Sequence, residues 1–376
     1  MYLSTLRITN FRNFTDQRVD LAPGGIAIIG DNGQGKTNFL EAIYYLEIFR
    51  SFRGAPDEQL TRFGQDVFRI EGGVEGDGPA RSVSAAFDRR RRKKKVTVDG
   101  AEPPRLGDAI GRVGVVIFSP SDIALISGGP ALRRRFLDVL LSLTEPTYLT
   151  ELQRYRQILL QRNALLRSGA GEASVAAWNE GLVRSGARVT LARQRWIEAR
   201  RVSFADHARE IAGGTEAAIE YEPSVPVEPG EIPPADVIEE RFNTGLTRLA
   251  DRERRYGTSL VGPHRDDLRI RATSDGGGEW VDLRSYGSGG QQRTAAISLR
   301  MVEGETLRDR LGSDPLILLD DVFAELDAGR SRRILDWVDA GTHSQVILTA
   351  PKPADFAIRG DPLQLWRISN GVISRE

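Results

Sequence analysis

Apolar residues recur along this chain with two different spacings, and the spacing changes near its middle. Residues 3–8 are β-branched and apolar, Pro23-Gly24-Gly25 breaks the pattern, and residues 26–29 are a short apolar run suited to a buried strand. Residues 3–29 therefore predict strand, turn, strand. A helix is predicted from about Lys36 to Ile48, with Phe39, Leu40, Ile43 and Leu46 at helical spacing. Residues 67–99 predict antiparallel strands, one interrupted by a basic run, so the simplest reading is a β-hairpin with a basic tip. From Pro130 onward the spacing is helical. Leu149, Leu152, Tyr155, Leu159, Arg162 and Leu166 form one stripe, and Val175, Trp178, Leu182, Val189, Trp196, Phe204, His207 and Ile211 form another. With Ser168-Gly169-Ala170-Gly171 between them, they predict an antiparallel helical hairpin. The proline-rich stretch 222–234 predicts an irregular connection, and strands and helices return from Leu260.

Composition narrows the function classes. Lys and Arg total 52, against 52 Asp and Glu, so any nucleic-acid surface must be a local patch. The absence of cysteine rules out disulfides, thiolate metal sites and a cysteine nucleophile, and it fits a cytoplasmic location. The first residues are too polar for a signal peptide, and no stretch approaches the ~20 apolar residues that span a bilayer, so no membrane role is expected. With 3 His, a histidine-rich metal centre is not expected either.

Three segments carry candidate chemistry. Gly30-Asp31-Asn32-Gly33-Gln34-Gly35-Lys36-Thr37 fits G-x-x-x-x-G-K-S/T, between an apolar strand and an amphipathic helix. Glycines let successive N–H groups turn inward around a β-phosphate, and the helix N-terminus adds its dipole. Lys36 reaches the β/γ-phosphates and Thr37 ligates Mg2+. Asn38 and, on the first strand, Arg12 are further candidate nucleotide contacts. Residues 316–319 form an apolar strand ending in Asp320 and Asp321. In a parallel sheet, ligands sit at such carboxyl ends, so Asp320 would face the Mg2+ and Asp321 the attacking water. Either acid could take the second role. Ser288-Gly289-Gly290-Gln291 opens another helix and lacks the Lys needed to act alone. Read by itself, it is as much a flexible turn as a ligand loop. Its order in the chain favours a γ-phosphate contact made to ATP on another copy.

With these motifs in place, the chain resembles the ATP-binding-cassette head in its SMC-like branch. Ser288–Gln291 looks like the signature loop, Ala324-Glu325-Leu326-Asp327 like the D-loop, and Ile347-Leu348-Thr349-Ala350 like the switch strand. Ala350 stands where that strand usually ends in His, His343 comes too early to replace it, and no Q-loop glutamine is placed. Residues 6–14, 116–123 with 128–130 and 133–138, and Gly262-Pro263-His264-Arg265-Asp266-Asp267 resemble the RecF family, and the resemblance spans nearly the whole chain. Ser121 departs from the family's Glu, and Ser-Gly-Gly-Gln departs from its Ser-Gln-Gly-Gln. Residues 264–267 are expected to form a supporting network, and Arg133, Arg134 and Arg135 a solvated helix face.

The resemblance implies an α/β fold, an ABC-type P-loop ATPase head with an inserted helical arm. The head would comprise 1–120 and 260–376, with the basic hairpin near 85–99, and the arm 121–259. It implies an ATPase with slow, DNA-stimulated hydrolysis, an ATP-dependent homodimer on double-stranded or gapped DNA, partnership with RecR and RecO, and support of RecA loading. DNA would be held by Arg89, Arg90, Arg91, Arg92, Lys93, Lys94 and Lys95 through phosphates. The run has no interleaved aromatic, so base stacking is not indicated. The rivals are an ABC transporter subunit, which explains neither the inserted helices nor the basic hairpin, and an SMC-like scaffold with negligible hydrolysis.

Overall fold

The five residues Gly25–Ile29, all buried, form an inner strand of a six-stranded sheet in the computed structural model. The structure describes residues 1–76, 81–227, 230–274, 278–340, 344–352 and 363–376. In chain order the elements are β1 (Tyr2–Thr9), β2 (Asp16–Asp20), β3 (Gly25–Ile29), α1 (Lys36–Ile48), α2 (Asp57–Leu60), β4 (Val67–Glu75), β5 (Arg81–Asp88), β6 (Lys93–Val98) and β7 (Val115–Phe118). Then come α3 (Ile123–Ser127), α4 (Pro130–Thr144), α5 (Tyr148–Arg167), α6 (Glu172–Ala176), α7 (Asn179–Ala212), β8 (Ala217–Glu222), α8 (Ala235–Tyr256), β9 (Asp267–Thr273), β10 (Trp280–Asp282) and α9 (Leu283–Tyr286). The last are α10 (Gly289–Leu311), β11 (Leu316–Asp320), α11 (Ala328–Ala340), β12 (Val346–Ala350), β13 (Gln364–Ser369) and β14 (Val372–Arg375).

Contacts divide the chain into two compact units, Met1–Asp122 with Arg300–Glu376, and Ile123–Leu299. In the first, the six-stranded sheet has the order β14-β13-β3-β12-β11-β7 and is parallel except for β14. Its three central strands β3, β12 and β11 are buried throughout and largely apolar, as strands covered on both faces must be. A second, antiparallel sheet has the order β2-β1-β4-β5-β6. Helix α1 contacts strands of both sheets and is buried nearly all round rather than along one stripe.

In the second unit, α5, α7 and α8 pack around Tyr155, Leu182, Val183, Phe242 and Leu246. The α5/α7 pair is the expected hairpin. Helix α8 joins them through Ile238, Phe242, Leu246 and Leu249, a helical stripe in an otherwise charged stretch. The sequence placed 260–299 with the ATPase portion. In the structure β9 lies between β8 and β10, and this ladder gathers the segment into the second unit.

Charged groups inside this unit are paired. Arg193, 2% exposed, donates to Asp138 Oδ1 (2.7 Å), Tyr148 Oη (3.0 Å) and the Pro263 carbonyl (2.7 Å). The solvated face expected at 133–135 is corrected at Arg133. That side chain is buried, clasps Asp267 through two 2.8 Å bonds, and donates to the carbonyls of Leu125, Ile126 and Gly128. A partner carboxylate at the start of β9, 134 residues further along the chain and so invisible in the local sequence, outweighs hydration. His264 is the supporting residue expected. Its Nδ1 meets Tyr155 Oη at 2.5 Å, its Nε2 meets the Ser259 carbonyl at 3.0 Å, and burial pushes its pKa down to about 4.

Removing one partner of a buried ion pair leaves the other unsatisfied, at a cost of about 3 kcal/mol or more. Arg193→Ala is therefore expected to lower the thermal stability of the nucleotide-free protein markedly. Arg201→Ala, an exposed arginine on the same helix, should change it by less than about 0.5 kcal/mol. Equal effects in thermal unfolding would contradict this placement.

Candidate functional site

Strand β3 delivers the chain to Gly30, and the loop 30–35 returns it into α1. Gly35 has φ 116°, and a Cβ there would lie 2.6 Å from the Asn13 amide, so the helix start demands glycine. The loop is held from outside as well. The Gln34 carbonyl accepts from Asn13 Nδ2 (2.8 Å) and Gly371 N (3.0 Å), while Gln34 Oε1 accepts from Asn370 N (2.7 Å). Asn38 Nδ2 donates to Asn13 Oδ1 at 2.9 Å. Its side chain thus braces the loop through Asn13.

Lys36 is buried with its ammonium across the loop, 2.8 Å from the Gly30 carbonyl and 3.5 Å from Asp321 Oδ2. Thr37 Oγ1 donates to Asp320 Oδ1 at 2.9 Å. The parallel ladder creates this meeting, since Asp320 is in register with Thr349 and Thr349 with Ile28, so all three strands end together beside the loop. Burial pushes the Asp320 pKa up to about 6; the Thr37 bond opposes the rise and the Asp321 charge adds to it. Asp321 turns out of the strand in a left-handed conformation, φ 48°. Hydroxyl and carboxylate oxygens converging in this way form a donor set suited to a hard cation held jointly with phosphate oxygens.

Arg12 directs its guanidinium to the buried Glu41, with bonds of 2.7 and 2.9 Å, and to the Gln59 carbonyl at 3.2 Å. That places it beside α1 as a brace.

Ser288-Gly289-Gly290-Gln291 is a capping box. Ser288 N donates to Gln291 Oε1 (2.9 Å), and Gln291 N donates to Ser288 Oγ (3.3 Å) at the head of the 23-residue α10. Ser288 and Gly289 are exposed, and a Cβ at Gly289 would meet nothing within 4 Å. The internal packing of this copy therefore does not require glycine there, whereas close approach by an outside group would.

The basic run divides. Arg89–Arg92 make the turn, while Lys93, Lys94 and Lys95 lie in β6, where side chains alternate between faces. Lys94 points inward to Asp57 (2.8 Å), the Phe49 carbonyl and the Tyr45 ring, so the tip carries fewer outward cations than seven. Arg90 pairs with Asp66, Arg91 with Asp88, Arg92 with Glu58 and Lys95 with Glu102, all largely exposed and thus weak.

Residues 5–136 match the family model for the AAA domain. Along most of its length the chain is 38% identical to the DNA replication and repair protein RecF of Halalkalibacterium halodurans, over 346 residues and 89% of each chain. The chain belongs to the RecF family. A solved structure of the recombination mediator protein RecF-ATP in the RecFOR pathway superposes with a TM-score of 0.90 at 32% identity, covering 100% of this chain and 97% of that one. An Smc head bound to the C-winged helix domain of ScpA matches at TM-score 0.57 and 15% identity, which concerns the fold alone. The RecF-type fold is thus the expected α/β ABC-type ATPase head with an inserted helical arm.

One site residue in this RecF-family chain escaped sequence reasoning. Thr349 Oγ1 lies 3.2 Å from Asp320 Oδ1 and 3.4 Å from Asp321 Oδ1, and it accepts from Asp321 N at 3.1 Å. The signal was a hydroxyl in an otherwise apolar strand. Ala350 ends β12 as expected, and His343 lies outside the described residues.

Because the folded-state pKa of Asp320 is raised, its protonation stabilises the fold below about pH 4. That contribution is lost as pH rises through about 6. A shift from 3.8 to about 6 corresponds to at most about 3 kcal/mol. Asp320→Asn should therefore raise the melting temperature of the nucleotide- and magnesium-free protein at pH 8 and change it little near pH 4.5. A lower melting temperature at pH 8 would contradict the assignment.

Proposed function

We propose that this RecF-family chain is an ATP-dependent DNA-binding repair protein in which ATP joins two copies around DNA and slow hydrolysis releases them. The observation that carries the reading is the Thr37–Asp320 contact. It unites phosphate loop and strand-end acid in one copy, while the Ser288 capping box is open to approach from another.

In this reading, Lys36 and the loop N–H groups hold the β- and γ-phosphates, and Thr37 Oγ1 and Asp320 hold Mg2+. Bound there, the ion would neutralise charge on the phosphate oxygens. Asp321, steered by Thr349 and Lys36, orients the attacking water. Ser288 Oγ and the first N–H groups of α10, offered by the second copy, complete the γ-phosphate site. With Ala350 in place of an imidazole, turnover is slow and awaits DNA. Arg89, Arg90, Arg91, Arg92, Lys93 and Lys95 exchange weak surface pairs for DNA phosphates, whereas Lys94 fixes the hairpin against α1. Phosphate contacts suit double-stranded or gapped DNA equally, since they carry no sequence information.

The related structures come from the RecFOR pathway, which supports RecO and RecR as partners; support of RecA loading is part of the same proposal. Among the described residues no helix is long and apolar enough to cross a membrane, and the proposed location is the cytoplasm.

Sedimentation velocity with ATP, with ADP and without nucleotide tests the clamp. Wild type should dimerise with ATP alone, and more strongly with duplex DNA. Ser288→Arg should still bind ATP yet sediment as a monomer. Equal dimerisation with ADP, or a dimeric Ser288→Arg, would refute it.

A further inference from the structure

The basic run contains no aromatic residue, but the fold brings one beside it. Phe63 is 98% exposed, in the 61–66 turn between α2 and β4. The turn is fastened on both sides. Thr61 bridges Phe11, Arg62 N donates to the Asn10 carbonyl (2.7 Å), and Gln65 N closes back on the Arg62 carbonyl (3.0 Å). The Asp66 carbonyl accepts from Arg89 N (2.7 Å) and its carboxylate pairs with Arg90 (2.6 Å), which ties this turn to the hairpin tip. A fully exposed ring is thus presented on an ordered support. The turn and the hairpin tip bonded to it carry Arg62, Arg89, Arg90, Arg91 and Arg92, against Asp66, Asp88 and Glu58, which pair with the last three. An apolar protein pocket closing on the ring would have to strip water from these guanidinium groups. A nucleic acid offers phosphates to them and a base face to the ring.

We propose that Phe63 stacks on the open face of the last base pair at a junction between duplex and single strand, so that the protein selects gapped DNA over uninterrupted duplex. The inference rests on the DNA-binding reading above and adds what that reading lacks, a contact that senses DNA structure. Relative magnitude decides between junction and duplex interior. Prying open an internal step costs about as much as one aromatic–base contact returns, whereas a terminal pair at a gap is already open. Phosphate contacts from Arg89–Arg92 hold either DNA equally and cannot discriminate.

The test uses the full chain with ATP and Mg2+, and two fluorescent DNAs of one sequence. One is a covalently closed circular duplex, which has no ends or loops, the other the same circle carrying a single-stranded gap. Phe63→Ala should lose about tenfold in affinity for the gapped DNA, and Phe63→Trp should retain it. For the closed circle the loss should stay within about twofold, with an unchanged salt dependence, because the phosphate contacts remain. A 2-aminopurine in the terminal pair at the gap should change emission on binding wild type but not Phe63→Ala. Equal losses on both DNAs overturn the proposal. So does wild-type affinity of Phe63→Ala for both, an outcome that assigns the ring to a protein partner. Wild type binding neither DNA refutes the DNA-binding reading itself, and this proposal with it.

Discussion

Everything at the site depends on the parallel register of β3, β12 and β11. Because Ile28, Thr349 and Asp320 lie in one row, the phosphate loop begins where the acidic strand ends, and Thr37 reaches Asp320 across 2.9 Å. A single-residue slip in β11 would turn Asp320 to the other face of the sheet and leave Thr37 without its carboxylate. These strands are largely apolar because both of their faces are covered, and Thr349 and Asp320 are the polar exceptions that face the loop.

The proposed sharing of a nucleotide between two copies builds on the same geometry. Lys36, Thr37, Asp320 and Asp321 gather at one place in the first unit, with Thr349 bridging the two acids. The Ser288 capping box engages the N–H groups of Ser288 and Gln291 and leaves Gly289 facing open space. A helix start carrying an exposed glycine that its own packing does not require leaves room for the proposed approach of a phosphate from outside.

Much of this was legible in the sequence because the relevant signals are local. The phosphate loop, the acid-terminated strand and the Gly-rich helix start each declare themselves within about eight residues, and Lys36–Ile48 is helical as its spacing predicts. What was missed depends on tertiary partners. Arg133 reads as a surface arginine until β9 supplies Asp267, and Lys94 reads as one of seven tip cations until strand alternation turns it onto Asp57. Thr349 is one hydroxyl in an apolar strand until Asp320 and Asp321 arrive from β11 and the residue beyond it. Phe63 lies 26 residues before Arg89 in sequence but on the turn bonded to it.

The central claim is that one nucleotide is shared by two molecules. The chain has no cysteine, so introduced thiols report contacts without background. Mixing the Asn32→Cys variant with the Ser288→Cys variant and adding a short thiol cross-linker should give a mixed dimer with ATP and almost none with ADP. If the two sites join only when both substitutions are in the same chain, or if the mixed product forms regardless of nucleotide, the shared site is contradicted.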